Sequence, residues 1–183
     1  MSSTNLCDAA TLPRYPTIFV FKDSTVDPSN NDFLPAMIKS NFFPYGQDFP
    51  DHIPTGRFTN GRLITNFLAS LLEIKELLPP YMDPMLSKDK HRRVLALRLL
   101  DWGWISARTR AIPELRAPTE EYAIPVVYHT VGCCGSGFWA IGPLCNAATP
   151  TCSNPSQFIF WDAVHPTEEV YKVAATLAAD KLL

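Results

Sequence analysis

No apolar run in the 183 residues approaches the roughly 18 that a membrane-crossing helix needs, which excludes an integral membrane span. Charge of one sign is also missing. Sixteen Lys+Arg stand against eighteen Asp+Glu, a formal net charge of −2 with no block of like charge. That excludes a nucleic-acid binder built on a basic patch. The first fifteen residues, MSSTNLCDAATLPRY, lack the basic start and apolar stretch of a secretory signal. With 46% hydrophobic and 19% charged residues the composition is that of a globular chain, neither disordered nor fibrous. The length suits one domain. What is present in excess is proline, 17 of 183 and about twice the usual share. Five cysteines make an odd number, four of them crowded between 133 and 152.

Thr17-Ile18-Phe19-Val20-Phe21 is β-branched and aromatic, bounded by Pro16 and by Lys22-Asp23-Ser24, and predicts a buried strand running into a turn. Residues 27–60 are rich in turn formers, with one short helix expected around Phe33–Ser40. From Asn60 a helix is predicted, with Leu63, Ile64, Phe67, Leu68 and Leu71 on one face and Pro79-Pro80 as its stop. Phe158-Ile159-Phe160-Trp161 reads as a strand or buried turn. A last helix follows, with Pro166 in its first position, Glu168 and Glu169 at its positive end, and Val170, Val173, Ala174 and Leu177 as its apolar stripe. Strand followed by helix at both ends predicts an α/β layer architecture. Residues 88–121 differ in kind. Arg92, Arg93, Arg98, Arg108, Arg110 and Arg116 are scattered without a face, Trp102 and Trp104 lie among them, and no amphipathic pattern emerges.

Two places could carry chemistry. Ser24 follows a strand, where a turn can expose a hydroxyl and aim backbone N–H groups at a carbonyl; taken alone, an Asp-Ser pair reads first as a plain turn. Asp162 stands three residues before His165, so its carboxylate can hold one imidazole nitrogen and leave the other as a base. An acidic residue ahead of a proline-initiated helix is also a good cap. The cysteine spacings fit no common zinc pattern. His52, His91 and His129 have no ligand partner at useful spacing, and Glu120-Glu121 reads as solvated.

Taken together, these pieces resemble a known family. TIFVFKDSTVDPSNND is similar to the first block of the plant GDSL esterase/lipases, of the SGNH hydrolase superfamily. The resemblance continues through FFPYGQDFPDHIPTGRFTNGRLITNFLASLL and PPYMDP, and returns in GCCGSG, GPLCN and FIFWDAVHPTEEVYKVAA. It covers residues 16–84 and 130–182, 122 of 183 positions. The resemblance implies an α/β fold of the flavodoxin-like SGNH-hydrolase type, a parallel sheet between two helical layers. A tail over 1–15 would precede one domain over 16–183, truncated through an atypical 85–129, with its sheet incomplete. It implies Ser24 as nucleophile, His165 as general base, Asp162 as its orienting partner, and an oxyanion hole from the backbone N–H groups of Ser24 and Gly61. The implied reaction is ester hydrolysis through an acyl-serine, on small acyl or lipid-like esters, with no cofactor or metal. It also implies disulfides and a secreted protein.

This sequence departs from the family at three points. Lys22 stands where the family's G-D-S-L motif opens with Gly, and Thr25 where it has Leu. If that position required φ > 0, a Lys would cost about 1 kcal/mol or more. The third-block G-x-N-D motif, whose Asn side chain serves the oxyanion hole, is absent between residues 85 and 130; one lost donor costs about 10²–10³ in rate. The 48 residues from Tyr81 to Tyr128 are also fewer than the family domain needs. These departures carry the alternative reading, a non-catalytic remnant with at most a binding role. The middle has a specific explanation. Take the codons for Arg92 to Ile105 in the frame formed by each codon's last base and the next codon's first two. That frame permits T-G-V-S-F-A-S-A-G-L-G-x-D, in which the Leu, the last Gly and the Asp are forced. The family carries such a string after its P-P-Y-x-D-P segment, so the Arg-rich stretch is expected to be family sequence out of frame from about Lys90–His91, with the frame restored by about Thr130.

Overall fold

A computed structural model describes residues 17–86, 94–98, 128–135 and 139–182. The readings for the tail 1–15, for most of the Arg-rich stretch with Trp102 and Trp104, for His91, and for Glu120-Glu121 lie outside the described residues.

The described strands form two parallel pairs. β1 (Ile18–Lys22) runs beside β2 (Val94–Arg98) in a register that sets Ile18 against Val94 and Lys22 against Arg98. β3 (Tyr128–Gly132) runs beside β4 (Phe158–Phe160) with one irregularity in its register. Parallel strands need a crossover rather than a tight turn. The β1-to-β2 crossover contains α1 (Ile64–Leu71), and α2 (Glu168–Ala179) follows β4. The two helices pack on each other through Leu63, Phe67, Tyr171 and Ala175. The described part is thus a partial α/β structure. No described helix is long and apolar enough to cross a membrane.

The structure corrects several local readings. β1 is not fully buried: Phe19 is 62% exposed, because among the described residues β1 has a neighbour on one side only. The short helix expected around Phe33–Ser40 is a single 3-10 turn at Asn30–Phe33. The Asp27 carboxylate fixes that turn by accepting the N–H groups of Asn30 and Asn31. Leu34, which precedes Pro35, is then driven into extended backbone. α1 begins four residues after Asn60, where Asn66 Oδ1 accepts the N–H of Leu63 at 3.1 Å. It ends long before Pro79. Glu73 takes a left-handed φ of 56°, and the N–H groups of Glu73 and Ile74 close on the carbonyls of Ser70 and Ala69.

α2 starts at Glu168 rather than Pro166. Pro166 instead bridges to Phe160, and Thr167 is tied to β4 through its N–H on Ile159 O and its hydroxyl on Phe158 O. The buried stripe of α2 is Val170, Tyr171, Ala175 and Ala179, not Val173, Ala174 and Leu177, because the face meeting α1 is centred on Tyr171. The segment without an amphipathic pattern contains β2, since Val94-Leu95-Ala96-Leu97 is a short apolar run that can pair without periodicity.

A second apolar cluster brings Tyr45, Phe58 and Trp161 together with Cys133, Cys134 and Cys145. Disulfides Cys133–Cys152 and Cys134–Cys145 close the connection between β3 and β4.

Candidate active site

The turn after β1 is built by Asp23, whose carboxylate accepts both the N–H (3.0 Å) and the hydroxyl (2.6 Å) of Thr25. Thr25, a departure in the sequence, therefore closes the turn that presents Ser24. Lys22 is the last residue of the extended β1, and the left-handed non-glycine residues described are Ser29, Asp51, His52 and Glu73. The positive-φ penalty considered for Lys22 does not arise.

The other side of the site is the loop from Trp161 to His165, between β4 and α2. It is folded back on itself by the Trp161 N–H on the His165 carbonyl (2.7 Å) and by the Phe160–Pro166 bridge. Asp162 Oδ1 accepts the N–H groups of Val164 (2.8 Å) and His165 (2.7 Å). Asp162 is thus spent on its own loop and does not cap α2, whose N-cap is Thr167. Its other oxygen, Oδ2, lies 2.7 Å from His165 Nδ1, and His165 Nε2 lies 2.7 Å from Ser24 Oγ. The structure thus brings Ser24, His165 and Asp162 into one buried, hydrogen-bonded line across 141 positions of sequence. A carboxylate without a proton can only accept, so a His165 proton on Nδ1 matches Asp162 Oδ2, and in that neutral tautomer Nε2 would present its lone pair to Ser24 Oγ.

Gly61 is buried beside Glu168, and a Cβ at Gly61 would run into the Glu168 carboxylate. Its turn is held there by the Arg62 N–H on Glu168 Oε1 (3.0 Å), the Glu168 N–H on Asn60 Oδ1 (2.9 Å), and Asn60 Nδ2 on Asp48 (2.6 Å). A buried polar layer is centred on Arg57. Arg57 donates to Leu78 O at 2.7 Å, to Asn66 Oδ1 and to Ser29 Oγ, and covers the Phe49 ring. Burial pulls its guanidinium down to about 10, against the pull of the Asp27 and Asp32 charges. Arg57 therefore remains a cation at neutral pH.

Two residues at the site went unnoticed as individuals in the sequence. The Phe58 ring stacks on His165 at 4.7 Å and 27°. The Tyr45 hydroxyl donates to Asp162 Oδ2 at 2.7 Å and accepts the Gly142 N–H at 2.9 Å. Burial, and then the Asp162 charge and hydrogen bond, push the Tyr45 phenol far above its ordinary range, so it keeps its proton. Both stand in motif blocks, yet nothing in their spacing distinguishes them from packing aromatics. His52 is engaged elsewhere, with Nδ1 2.6 Å from the Gln47 carbonyl oxygen. Among the described residues no group of three or more His, Cys, Asp or Glu side chains could hold a metal ion.

No family model matches the chain, and no solved structure matches it. Curated relatives do. The chain is 53% identical over 73 residues to GDSL esterase/lipase At1g06990 of Arabidopsis thaliana, covering 40% of this chain and 20% of that protein. It is 58% identical over 69 residues to GDSL esterase/lipase At5g45960 of the same plant, covering 38% of this chain and 18% of that protein. With At2g31550 the identity is 49% over 86 residues, covering 44% and 24%. The chain spans about a fifth of the length of these relatives. Each alignment is also shorter than the 122 positions of the two motif blocks together. Identity of this order, repeated across several relatives, shows that about 40% of the chain is similar to plant GDSL esterase/lipases.

Proposed function

We propose that the chain is a serine ester hydrolase in which Ser24 is the nucleophile, His165 the general base and Asp162 the residue that holds the imidazole. The observation that carries this reading is the pair of 2.7 Å contacts through the two nitrogens of one buried histidine. Ser24 Oγ attacks the ester carbonyl carbon as its proton passes to His165 Nε2. The tetrahedral intermediate collapses as the imidazolium returns that proton to the departing alkoxide, leaving an acyl-serine and an alcohol. Water, deprotonated by the same nitrogen, then releases the acid and restores Ser24. The N–H groups of Ser24 and Gly61 are the proposed oxyanion donors. Glycine suits position 61 because Glu168 leaves no room for a Cβ.

The relatives' names, esterase/lipase, support acyl or lipid-like esters as the substrate class. Two disulfides support an oxidising, extracellular setting. A second reading, a non-catalytic remnant that binds a ligand, is favoured by one observation: no G-x-N-D segment supplies a further oxyanion donor between residues 85 and 130. Hydrolysis of p-nitrophenyl butyrate by the purified chain beside Ser24→Ala separates the two. Serine hydrolysis requires the wild type to exceed the variant by several orders of magnitude; equal rates would establish the remnant.

A further inference from the structure

We propose that Tyr45 is a positioning residue of this hydrolase, acting through Asp162; the proposal rests on the serine-hydrolase reading above. The direction of its hydrogen bonds is fixed by elimination. The Gly142 N–H can only donate, so it occupies a lone pair of the Tyr45 oxygen. The phenol has one proton, and the acceptor 2.7 Å away is Asp162 Oδ2. That same oxygen faces His165 Nδ1 at 2.7 Å. Oδ1 is held by two backbone N–H groups, so the Tyr45 bond completes the set and leaves the carboxylate no rotation that keeps its partners.

Tyr45 is itself locked. It is fully buried, and its ring stands edge-on between Phe42 (5.7 Å) and Phe58 (5.9 Å). Phe58 in turn stacks on the His165 imidazole. One side chain therefore fixes the carboxylate directly and, through Phe58, the ring that the carboxylate orients. Charge-assisted bonds of this kind are short and strong, as expected of a device that sets imidazole position to a few tenths of an ångström. Through Gly142, Tyr45 also joins the site to the loop closed by Cys134–Cys145.

The test is Tyr45→Phe in the full chain, which removes the hydroxyl and keeps the ring. It is read by kcat and KM for p-nitrophenyl butyrate, with Ser24→Ala as the zero, and by the downfield proton resonance of His165 Nδ1. The expected result is a fall in kcat of about 10- to 100-fold, the size of a lost hydrogen bond to a charged group, with KM within about twofold and the resonance displaced. Unchanged kcat, or a loss with the resonance unmoved, would overturn the proposal. If wild type does not exceed Ser24→Ala, the hydrolase reading has failed, and Tyr45 falls with it as a residue of that reaction. Should Tyr45→Phe not fold, the wild type decides. A slowly exchanging Tyr45 hydroxyl proton with a nuclear Overhauser contact to the Nδ1 proton supports the assignment, and absence of that contact removes it.

Discussion

Replacing Asp162 by Asn exchanges one oxygen for an NH2 group and reverses the logic of the site. Asp162 is fully buried and receives two backbone N–H groups on Oδ1, and His165 Nδ1 and the Tyr45 hydroxyl on Oδ2. The amide oxygen of the substituted side chain must take the Oδ1 place, because an NH2 there would face two N–H donors. The NH2 then occupies the Oδ2 place and donates to His165 Nδ1. The imidazole responds by carrying its proton on Nε2, so an N–H rather than a lone pair meets Ser24 Oγ. A base in the wrong tautomer costs about 10⁴-fold in kcat, or about 5 kcal/mol of transition-state stabilisation. The imperfectly matched buried amide costs about 1–3 kcal/mol of stability. Steady-state hydrolysis of p-nitrophenyl butyrate, beside thermal melts of both proteins, reads the two effects separately. Asp162→Asn within about tenfold of wild type, while Ser24→Ala is inactive, would refute the tautomer argument.

Three further outcomes are expected. Reducing Cys133–Cys152 and Cys134–Cys145, whose sequence separations are 19 and 11, removes about 3 kcal/mol each by loop entropy. It also frees Gly142 from Tyr45, so dithiothreitol should lower both the melting temperature and kcat; an unchanged melt would show the loops to be held otherwise. Arg57→Ala should destabilise by about 1–3 kcal/mol, because it removes the donor that serves the buried Leu78 carbonyl and Asn66 Oδ1. A urea midpoint equal to wild type would contradict that. Asp32, whose Oδ1 has no hydrogen-bond partner among the described residues, has its carboxyl raised chiefly by burial, with the Lys39 charge opposing. A carboxyl raised in the folded state contributes stability that is full below 3.8 and lost as pH rises through its folded value. Asp32→Asn should therefore gain in melting temperature relative to wild type as pH rises from 4 to 7 (about the carboxylate range), and a gap independent of pH would contradict the burial argument.

The ends of the chain were legible in the sequence because their patterns are local. The β-branched run of β1, the apolar face of α1 and the acidic first turn of α2 needed no partner to be seen, though their limits did. Asn66, Glu73 and the Pro166–Phe160 bridge set those limits through contacts that periodicity does not encode. Residue type and order left Ser24 open as a plain turn and Asp162 as a helix cap, and only the family resemblance gave Ser24, Asp162 and His165 their expected roles. Tyr45 and Phe58 could not be picked out, since a tyrosine becomes informative only when its hydroxyl is seen between a carboxylate and a backbone N–H. The Arg57 layer stayed hidden for the same reason, because a single Arg in a turn gives no sign of the Ser29, Asn66 and Leu78 partners it finds in the fold. Disulfides were implied by the family resemblance, but which cysteines join depended on how the loop between β3 and β4 folds.

Covalent capture tests the central claim most directly. A fluorophosphonate reacts fastest with a serine oxygen that a neighbouring base activates, with fluoride as the leaving group. Incubation with the intact chain, followed by peptide mass spectrometry, should place one phosphonyl group on Ser24, with no label in Ser24→Ala and a large loss of labelling in His165→Ala. Label on another residue, or none on a chain that melts cooperatively, would contradict the assignment of Ser24 as the nucleophile.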